Sequence, residues 1–127
     1  MIYNYEDLLV WQKAMDLVEE VYQLIKFLPK EENYGIALQM RRAAISIPSN
    51  IAEGQSRHTT KEFINFLSIA NGSKSELRTQ IQICIRLKFV TEKEAEKAMS
   101  LCEEVSKMLS ALVTKLQSVK DKPACNG

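Results

Sequence analysis

The sequence predicts an all-α protein, an up-down-up-down antiparallel four-helix bundle with long helices. Apolar residues recur at steps of three and four along four long segments, which is the spacing of one face of an α-helix. Only four glycines and three prolines occur in 127 residues, whereas hairpin-rich folds use many turn residues. This length suits one domain with a real core. We therefore expect a bundle domain over residues 1–120 and a short tail at 121–127.

The first helix is predicted over residues 6–28. Pro29 ends it, because proline lacks the N–H that a helix interior needs. Two adjoining apolar rows form one broad stripe over about six turns. The rows are Leu8, Trp11, Met15, Val18, Tyr22 and Ile25, and then Ala14, Leu17, Val21, Leu24 and Leu28.

The second helix is predicted over residues 31–53, with a proline inside it. Helical phase continues past Pro48, along Ile36, Met40, Ala43, Ile47 and Ile51. A loop would not keep this phase, so the stretch predicts one helix bent at Pro48, where the carbonyl of Ala44 loses its hydrogen bond. Gly54 is expected to cap its C-terminus. Short polar neighbours are expected to satisfy freed backbone groups: Ser46, Ser49 and Asn50.

The third helix is predicted over residues 60–89, and Thr59 with Glu62 has capping-box spacing at its start. Asn71-Gly72 normally marks a turn, but the apolar phase continues across it. This favours one helix in which small residues let another helix approach closely: Ala70, Gly72 and Ser73. Two helices broken at Asn71-Gly72 are the alternative.

The fourth helix is predicted over residues 92–120. Thr91 and Glu94 form a second capping box, and apolar residues at heptad spacing run from Ala95 to Val119. The tail that follows lacks periodicity and is expected to fray, with Cys125 as an exposed thiol.

Several classes of function find no support in the residues. The N-terminus lacks a signal-peptide pattern and no apolar run could span a membrane, so a cytoplasmic protein is expected. Three cysteines fit neither a disulfide framework nor a zinc site. The lone histidine, His58, has no acidic partner near it in sequence to orient it for catalysis. We expect no enzyme activity, metal, cofactor or small-molecule substrate.

Charge is distributed unevenly, although the net charge is only +1. Residues 1–38 carry three lysines against seven acidic residues, and residues 39–88 carry eight basic residues against three glutamates. A basic band of this kind suits phosphate, and arginine offers a planar fork for it. There are two alternatives to phosphate binding. The basic residues could simply face solvent, or Arg42 could pair with a carboxylate of the acidic first helix. The candidate nucleic-acid contacts are Arg41, Arg42, Arg57, His58, Lys61, Lys74, Arg78, Arg86 and Lys88.

Apolar residues on a second face of two helices predict self-association. Ile69, Ile83 and Leu87 lie 100° or more from the main stripe of the third helix, and Leu38 and Ile45 do so on the second. A bundle buries one stripe per helix, so a second stripe suggests a subunit contact. A few scattered exposed aliphatics are the alternative.

Three blocks of the chain resemble the family of 23S ribosomal RNA intervening-sequence proteins: LLVWQKAMDLVEEVYQL, QMRRAAISIPSNIAEGQSR and EFINFLSIANGSKSEL. The resemblance covers residues 5–120 and implies a four-helix bundle assembled as a ring-like homopentamer. A more distant relative, the accessory variability determinant of diversity-generating retroelements, is a basic pentamer that binds RNA. This chain departs from that relative in its net charge of +1.

The shared block also contains polar residues beside the proline. Asn50 and Glu53 follow Pro48 within two turns, and Glu53 is placed to pair with an arginine. Two roles are open for these residues. They could contact a ligand, or they could form a buried polar network that holds the bent helix and a subunit interface. The candidates for the structural role are Pro48, Asn50, Glu53, Ile69, Ile83 and Leu87.

The sequence therefore predicts a non-enzymatic homo-oligomeric bundle that binds structured RNA or a nucleic-acid-processing partner through a basic surface. The alternative is a protein interaction scaffold that binds no nucleic acid. Steep salt dependence of binding distinguishes the first from the second. A metal-dependent hydrolase or nuclease is a third hypothesis.

Overall fold

The computed structural model describes residues 4–118, without the side chain of Asp7. Four α-helices and two short 3-10 turns make up this part of the chain, which contains no strand. The helices are α1 (Leu9–Ile25), α2 (Ile36–Gln55), α3 (Thr60–Arg86) and α4 (Glu92–Gln117). The predicted tail and Val119 lie outside the described residues.

Each helix packs against the next along the chain, and α4 closes the bundle against α1. Two ion pairs fix the antiparallel register of α1 and α4. Lys13 lies 3.2 Å from Glu104, and Glu20 lies 3.7 Å from Lys97. Going from Lys13 to Glu20 along α1 thus corresponds to going back from Glu104 to Lys97 along α4, so the two helices run in opposite directions. The predicted all-α four-helix class is confirmed.

The core is made by the predicted apolar phases. In α2 and α3 the fully buried residues follow the predicted steps closely, with Met40, Ile47, Leu67, Leu77 and Ile81 among them. In α1 only one of the two predicted rows is buried, through Ala14, Leu17 and Val21. The other row is at the edge of the bundle. A helix that packs against two neighbours buries only part of its circumference, and the two rows together are wider than that part.

The second helix begins at Ile36, five residues later than predicted. Lys30–Glu32 form a 3-10 turn, and the chain then turns through Tyr34 and Gly35 before α2 starts. The Glu32 carboxylate accepts the N–H of Ile36 at 3.4 Å, which satisfies a donor at the helix start. The connection between α1 and α2 is consequently ten residues long, from Lys26 to Gly35.

The second helix runs through Pro48 without a break, as the phase predicts. Polar side chains beside the proline form a ladder toward α3. Asn50 Nδ2 donates to the carbonyl of Ser46 at 2.8 Å and contacts Ser46 Oγ at 2.9 Å. Ser46 Oγ lies 2.8 Å from Ser73 Oγ of α3. The ladder therefore joins the proline segment to the neighbouring helix.

Gly54 does not cap α2, and that prediction is wrong. The helix continues to Gln55, and no glycine of the described chain has a positive φ. A Cβ at Gly54 would lie 2.8 Å from Cβ of Phe66 and 2.9 Å from Cδ1 of Phe63. Gly54 is therefore needed for the close approach of α2 and α3 near their turn.

The third helix is continuous through Asn71-Gly72, as predicted. Ala70 is buried and Ser73 contacts α2, which agrees with a close approach of the two helices. Gly72 differs, because a Cβ there would meet nothing within 4 Å. Among residues 4–118, no helix uses the space that Gly72 leaves.

The helix starts carry the predicted caps. Thr91 and Glu94 form a complete capping box, with bonds of 2.9 and 3.0 Å. Thr59 accepts the N–H of Glu62 at 3.1 Å. At its other end α3 stops at Arg86, and Lys88 adopts a φ of 63°, a left-handed conformation that ends the helix.

Candidate nucleic-acid interface

Arg41, one of the predicted nucleic-acid contacts, forms hydrogen bonds within the chain. Arg41 Nη2 donates to the carbonyl of Asn33 at 2.8 Å, and Nη1 contacts Asn33 Oδ1 at 3.5 Å. These bonds tie the α1–α2 connection to α2. Arg41 therefore holds the fold, in addition to any ligand contact.

Arg57 lies in the turn between α2 and α3. Its Nη2 lies 2.7 Å from Glu53 Oε2, and its guanidinium sits 4.7 Å from the centre of the Phe66 ring. The ion pair joins two residues that the sequence placed in different roles, Glu53 as structural and Arg57 as a ligand contact. An arginine held by a carboxylate and a ring has less free charge for phosphate.

Lys74 is not a surface residue, which corrects its place in the predicted band. Only 8% of it is exposed, and it lies on the side of α3 that faces α4. There burial raises the pKa of the Cys102 thiol to about 11, while the charges of Lys74 and Arg78 lower it. The long apolar stem of lysine explains why it tolerates a core position.

The remaining basic candidates are exposed: Arg42, His58, Lys61, Arg78, Arg86 and Lys88. Among the side chains that the structure describes, none of these six takes part in an ion pair. The acidic first helix instead pairs with α4, through Glu20 and Lys97. The expected alternative, in which Arg42 pairs with that helix, does not occur among these side chains.

The exposed cations do not form one continuous band. Lys61 lies in the first turn of α3 and Arg86 ends the helix, so roughly 38 Å separates them at 1.5 Å per residue. Arg86 also lines an open cleft of about 560 Å³ beside Glu92 and Glu96, and these carboxylates offset its charge. The positive surface is therefore divided between the two ends of α3 and its middle.

The predicted interface residues fall into two groups. Ile69, Ile83 and Leu87 of α3 are 45%, 40% and 57% exposed, and Ile45 of α2 is 45% exposed. Pro48 is buried within the bundle, so it has no direct surface role. These four exposed branched side chains leave apolar surface on the outer sides of α2 and α3.

The sequence pattern did not reveal the α1–α2 connection as a candidate ligand site, because it lies mostly inside or beside the predicted helices. It exposes two aromatic rings, Phe27 at 55% and Tyr34 at 85%. Lys26, Lys30 and Asn33 line a cleft of about 380 Å³ there. The turn residues Pro29, Asn33 and Gly35 were the available signal for a longer connection.

No group of three metal-ligating side chains occurs within residues 4–118, Asp7 aside. Cys84 is buried and burial raises the pKa of its thiol to about 11, with the negative charge of Glu32 adding to the effect. Both described cysteines thus hold their thiols in the protonated, unreactive form at neutral pH. No helix of the described chain is long and apolar enough to cross a membrane.

A family model described as 23S rRNA-intervening sequence protein matches residues 6–111. The chain belongs to this family. The match to this 23S rRNA-intervening sequence protein family includes all of α1, α2 and α3 and most of α4. It therefore extends over the helices that carry the exposed cations and the apolar surface.

One solved structure with the same fold is a protein with unknown function from the S23 ribosomal protein family of Bacteroides thetaiotaomicron VPI-5482. It is 25% identical, with a TM-score of 0.77, and the alignment covers 83% of this chain and 98% of that chain. A search of curated proteins finds no match. The comparisons give the family and the fold, and neither describes an activity.

Proposed function

We propose that this family member is a non-enzymatic, cytoplasmic homo-oligomer that binds structured RNA through exposed basic residues of α2 and α3. One observation carries the proposal. Each of the described ion pairs engages Lys13, Lys97, Lys107 or Arg57, while Arg42, Lys61, Arg78 and Lys88 have no acidic partner among the described side chains. Uncompensated positive charge is what a phosphate backbone neutralises.

The oligomeric part of the proposal rests on the apolar surface of α2 and α3. Ile45, Ile69, Ile83 and Leu87 would be removed from water by a neighbouring subunit. A ring-like homopentamer, which the family resemblance implies, repeats each patch of positive charge five times. Simultaneous contacts to one RNA then raise the affinity well above that of a single patch.

Fluorescence anisotropy with a structured ribosomal-RNA hairpin tests RNA binding. The affinity is expected to fall by roughly threefold per phosphate contact between about 50 and 200 mM salt. A Lys61→Glu/Arg78→Glu variant is expected to lose most of this binding. Arg57 is left intact, because its contacts to Glu53 and Phe66 would make a loss of binding ambiguous.

The matched control is Lys107→Glu, which reverses an exposed charge of α4 that pairs with Glu103. It is expected to bind RNA like the unmodified protein. Light scattering verifies that all variants keep their subunit number. If the unmodified protein does not bind the hairpin at low salt, the RNA proposal is wrong, and a protein partner becomes the hypothesis to test.

A further inference from the structure

The α1–α2 connection exposes two aromatic rings. Tyr34 is 85% exposed, more than any other large apolar side chain within residues 4–118, and Phe27 is 55% exposed. Within residues 4–118, Tyr5 contacts the ring of Trp11, and Arg57 contacts the ring of Phe66. Phe27 and Tyr34 take part in neither contact. Both rings of the connection therefore have a free face.

Two lysines belong to the same connection as these rings. Lys26 and Lys30 line the same cleft as Asn33, whose side chain adds an amide to its wall. Lys26 Nζ donates to the neutral Gln23 Oε1 at 3.3 Å, and neither lysine forms an ion pair with a described side chain. The ammonium groups of both lysines are thus unpaired among the described side chains, and the same connection also carries the carboxylates of Glu31 and Glu32.

The connection is held in one conformation by hydrogen bonds. The N–H groups of Glu32, Asn33 and Gly35 donate to the carbonyls of Pro29, Lys30 and Glu32 at 2.9 to 3.0 Å. Arg41 of α2 holds Asn33 from the side. Leu28 is buried beneath the connection and anchors it to the core. A ligand would therefore meet a preformed surface and lose less entropy on binding it.

From these features we propose that the α1–α2 connection binds an unpaired nucleotide segment of RNA. Tyr34 and Phe27 supply faces on which bases stack, and Lys26 and Lys30 contact the adjoining phosphates. A continuous duplex offers no free base faces to these rings, so the occupant is a loop, bulge or single strand. This inference rests on the proposed RNA binding and adds which part of a structured RNA is recognised, and where.

The test compares two RNA probes with the full-length protein: a hairpin with an unpaired uridine-rich loop, and a blunt duplex of the same stem sequence. A Phe27→Leu/Tyr34→Leu variant keeps apolar bulk and removes the rings. It is expected to bind the hairpin about tenfold more weakly, as the loss of base stacking predicts, and to bind the duplex unchanged. Lys30→Gln is expected to reduce the salt dependence of hairpin binding.

The matched control is Tyr22→Leu, which removes an exposed ring from the last turn of α1, 41% exposed and outside the connection. It is expected to leave hairpin binding unchanged. Photo-crosslinking of a 4-thiouridine oligonucleotide, followed by mass spectrometry, is expected to label the peptide that contains residues 26–35.

The outcomes separate this site from RNA binding in general. If the hairpin binds and Lys61→Glu/Arg78→Glu weakens it, while Phe27→Leu/Tyr34→Leu does not, the nucleotide site is wrong and the RNA function stands. If neither RNA binds the unmodified protein, both proposals are wrong. If the ring variant changes the subunit number and leaves RNA affinity intact, the rings belong to a protein contact and the site is wrong.

Discussion

Ser46 of α2 and Ser73 of α3 bring their hydroxyl oxygens to 2.8 Å, at the level where Pro48 interrupts the hydrogen bonds of α2. Both side chains are half-buried, and Asn50 adds a bond to Ser46 from the next turn. This small polar cluster lies between two helices that otherwise meet through apolar and small residues. It is a specific point of attachment between α2 and α3.

The attachment has a measurable strength. We expect Ser73→Ala to lower the free energy of unfolding by about 1 kcal/mol, the usual size of a part-buried hydrogen bond. In a double-mutant cycle with Ser46→Ala, measured by urea denaturation, the coupling should be at least about 0.5 kcal/mol. Strictly additive effects of the two substitutions would falsify a direct bond between the hydroxyls.

Gly54 and Gly72 form a matched pair with opposite expectations. Gly54→Ala places a Cβ 2.8 Å from Cβ of Phe66, so we expect a loss of about 1–3 kcal/mol from overpacking. Gly72→Ala meets nothing within 4 Å and should gain about 1 kcal/mol from the better helix propensity of alanine. Urea denaturation of both variants measures these changes.

The Gly72 result also bears on assembly. If Gly72→Ala lowers the stability of the protein, another helix packs against that position. In a purified sample that helix belongs to a second subunit. Light scattering of the same sample then shows whether the subunit number has changed. A stabilised variant with the same subunit number places Gly72 outside any subunit contact.

Pro48→Ala is expected to change assembly more than stability. Alanine restores the hydrogen bond to the carbonyl of Ala44, and this gain offsets the buried ring volume that is lost. Removal of the bend that is predicted at Pro48 would shift the exposed side of α2 that carries Ile45. Size-exclusion chromatography with light scattering measures the subunit number, and an unchanged number would count against the prediction.

The buried thiols predict a loss of stability at alkaline pH. Burial raises the pKa of Cys84 and Cys102 from an ordinary value near 9.0 to about 11. Between these values the unfolded chain releases thiol protons that the folded chain retains, so stability is complete below pH 9 and falls as the pH rises toward 11. The slope is up to about 1.4 kcal/mol per pH unit for each thiol.

The measurement is urea denaturation between pH 8 and 10.5 for the unmodified protein and for Cys84→Ala/Cys102→Ala. The variant starts less stable, because it loses buried sulfur, but its stability should decline less steeply with pH. An equal slope in both proteins would assign the decline to other groups, such as tyrosines and lysines.

The four helices could be predicted because their apolar phase is a local and repeated signal. Pro48 and Asn71-Gly72 did not disturb it, since packing of the apolar stripes outweighs the local cost of these residues. The start of α2 was misjudged, because Glu32 bonds the helix start through a side chain whose role depends on the turn before it. The function of Gly54 was missed for a related reason, as only the packed structure shows how near Phe63 and Phe66 come.

The candidate site was less predictable than the fold. Sequence cannot tell that Arg57 is held by Glu53 and Phe66 while Lys61, four residues on, is exposed. Nor can it tell that Lys74 lies on the buried side of α3, since lysines at core phase are uncommon. The exposure of Tyr34 depends on the length of the connection, which was predicted too short.

The ion pairs of Lys13 with Glu104 and of Glu20 with Lys97 place α1 and α4 side by side in opposite directions. The start of α1 and the end of α4 are consequently at the same end of the bundle, together with the turn between α2 and α3. A circular permutant that joins the start of α1 to the end of α4 by a flexible linker and opens the chain at Ser56 would retain every helix pair. The order of the helices along the chain is thus separable from the architecture that they build.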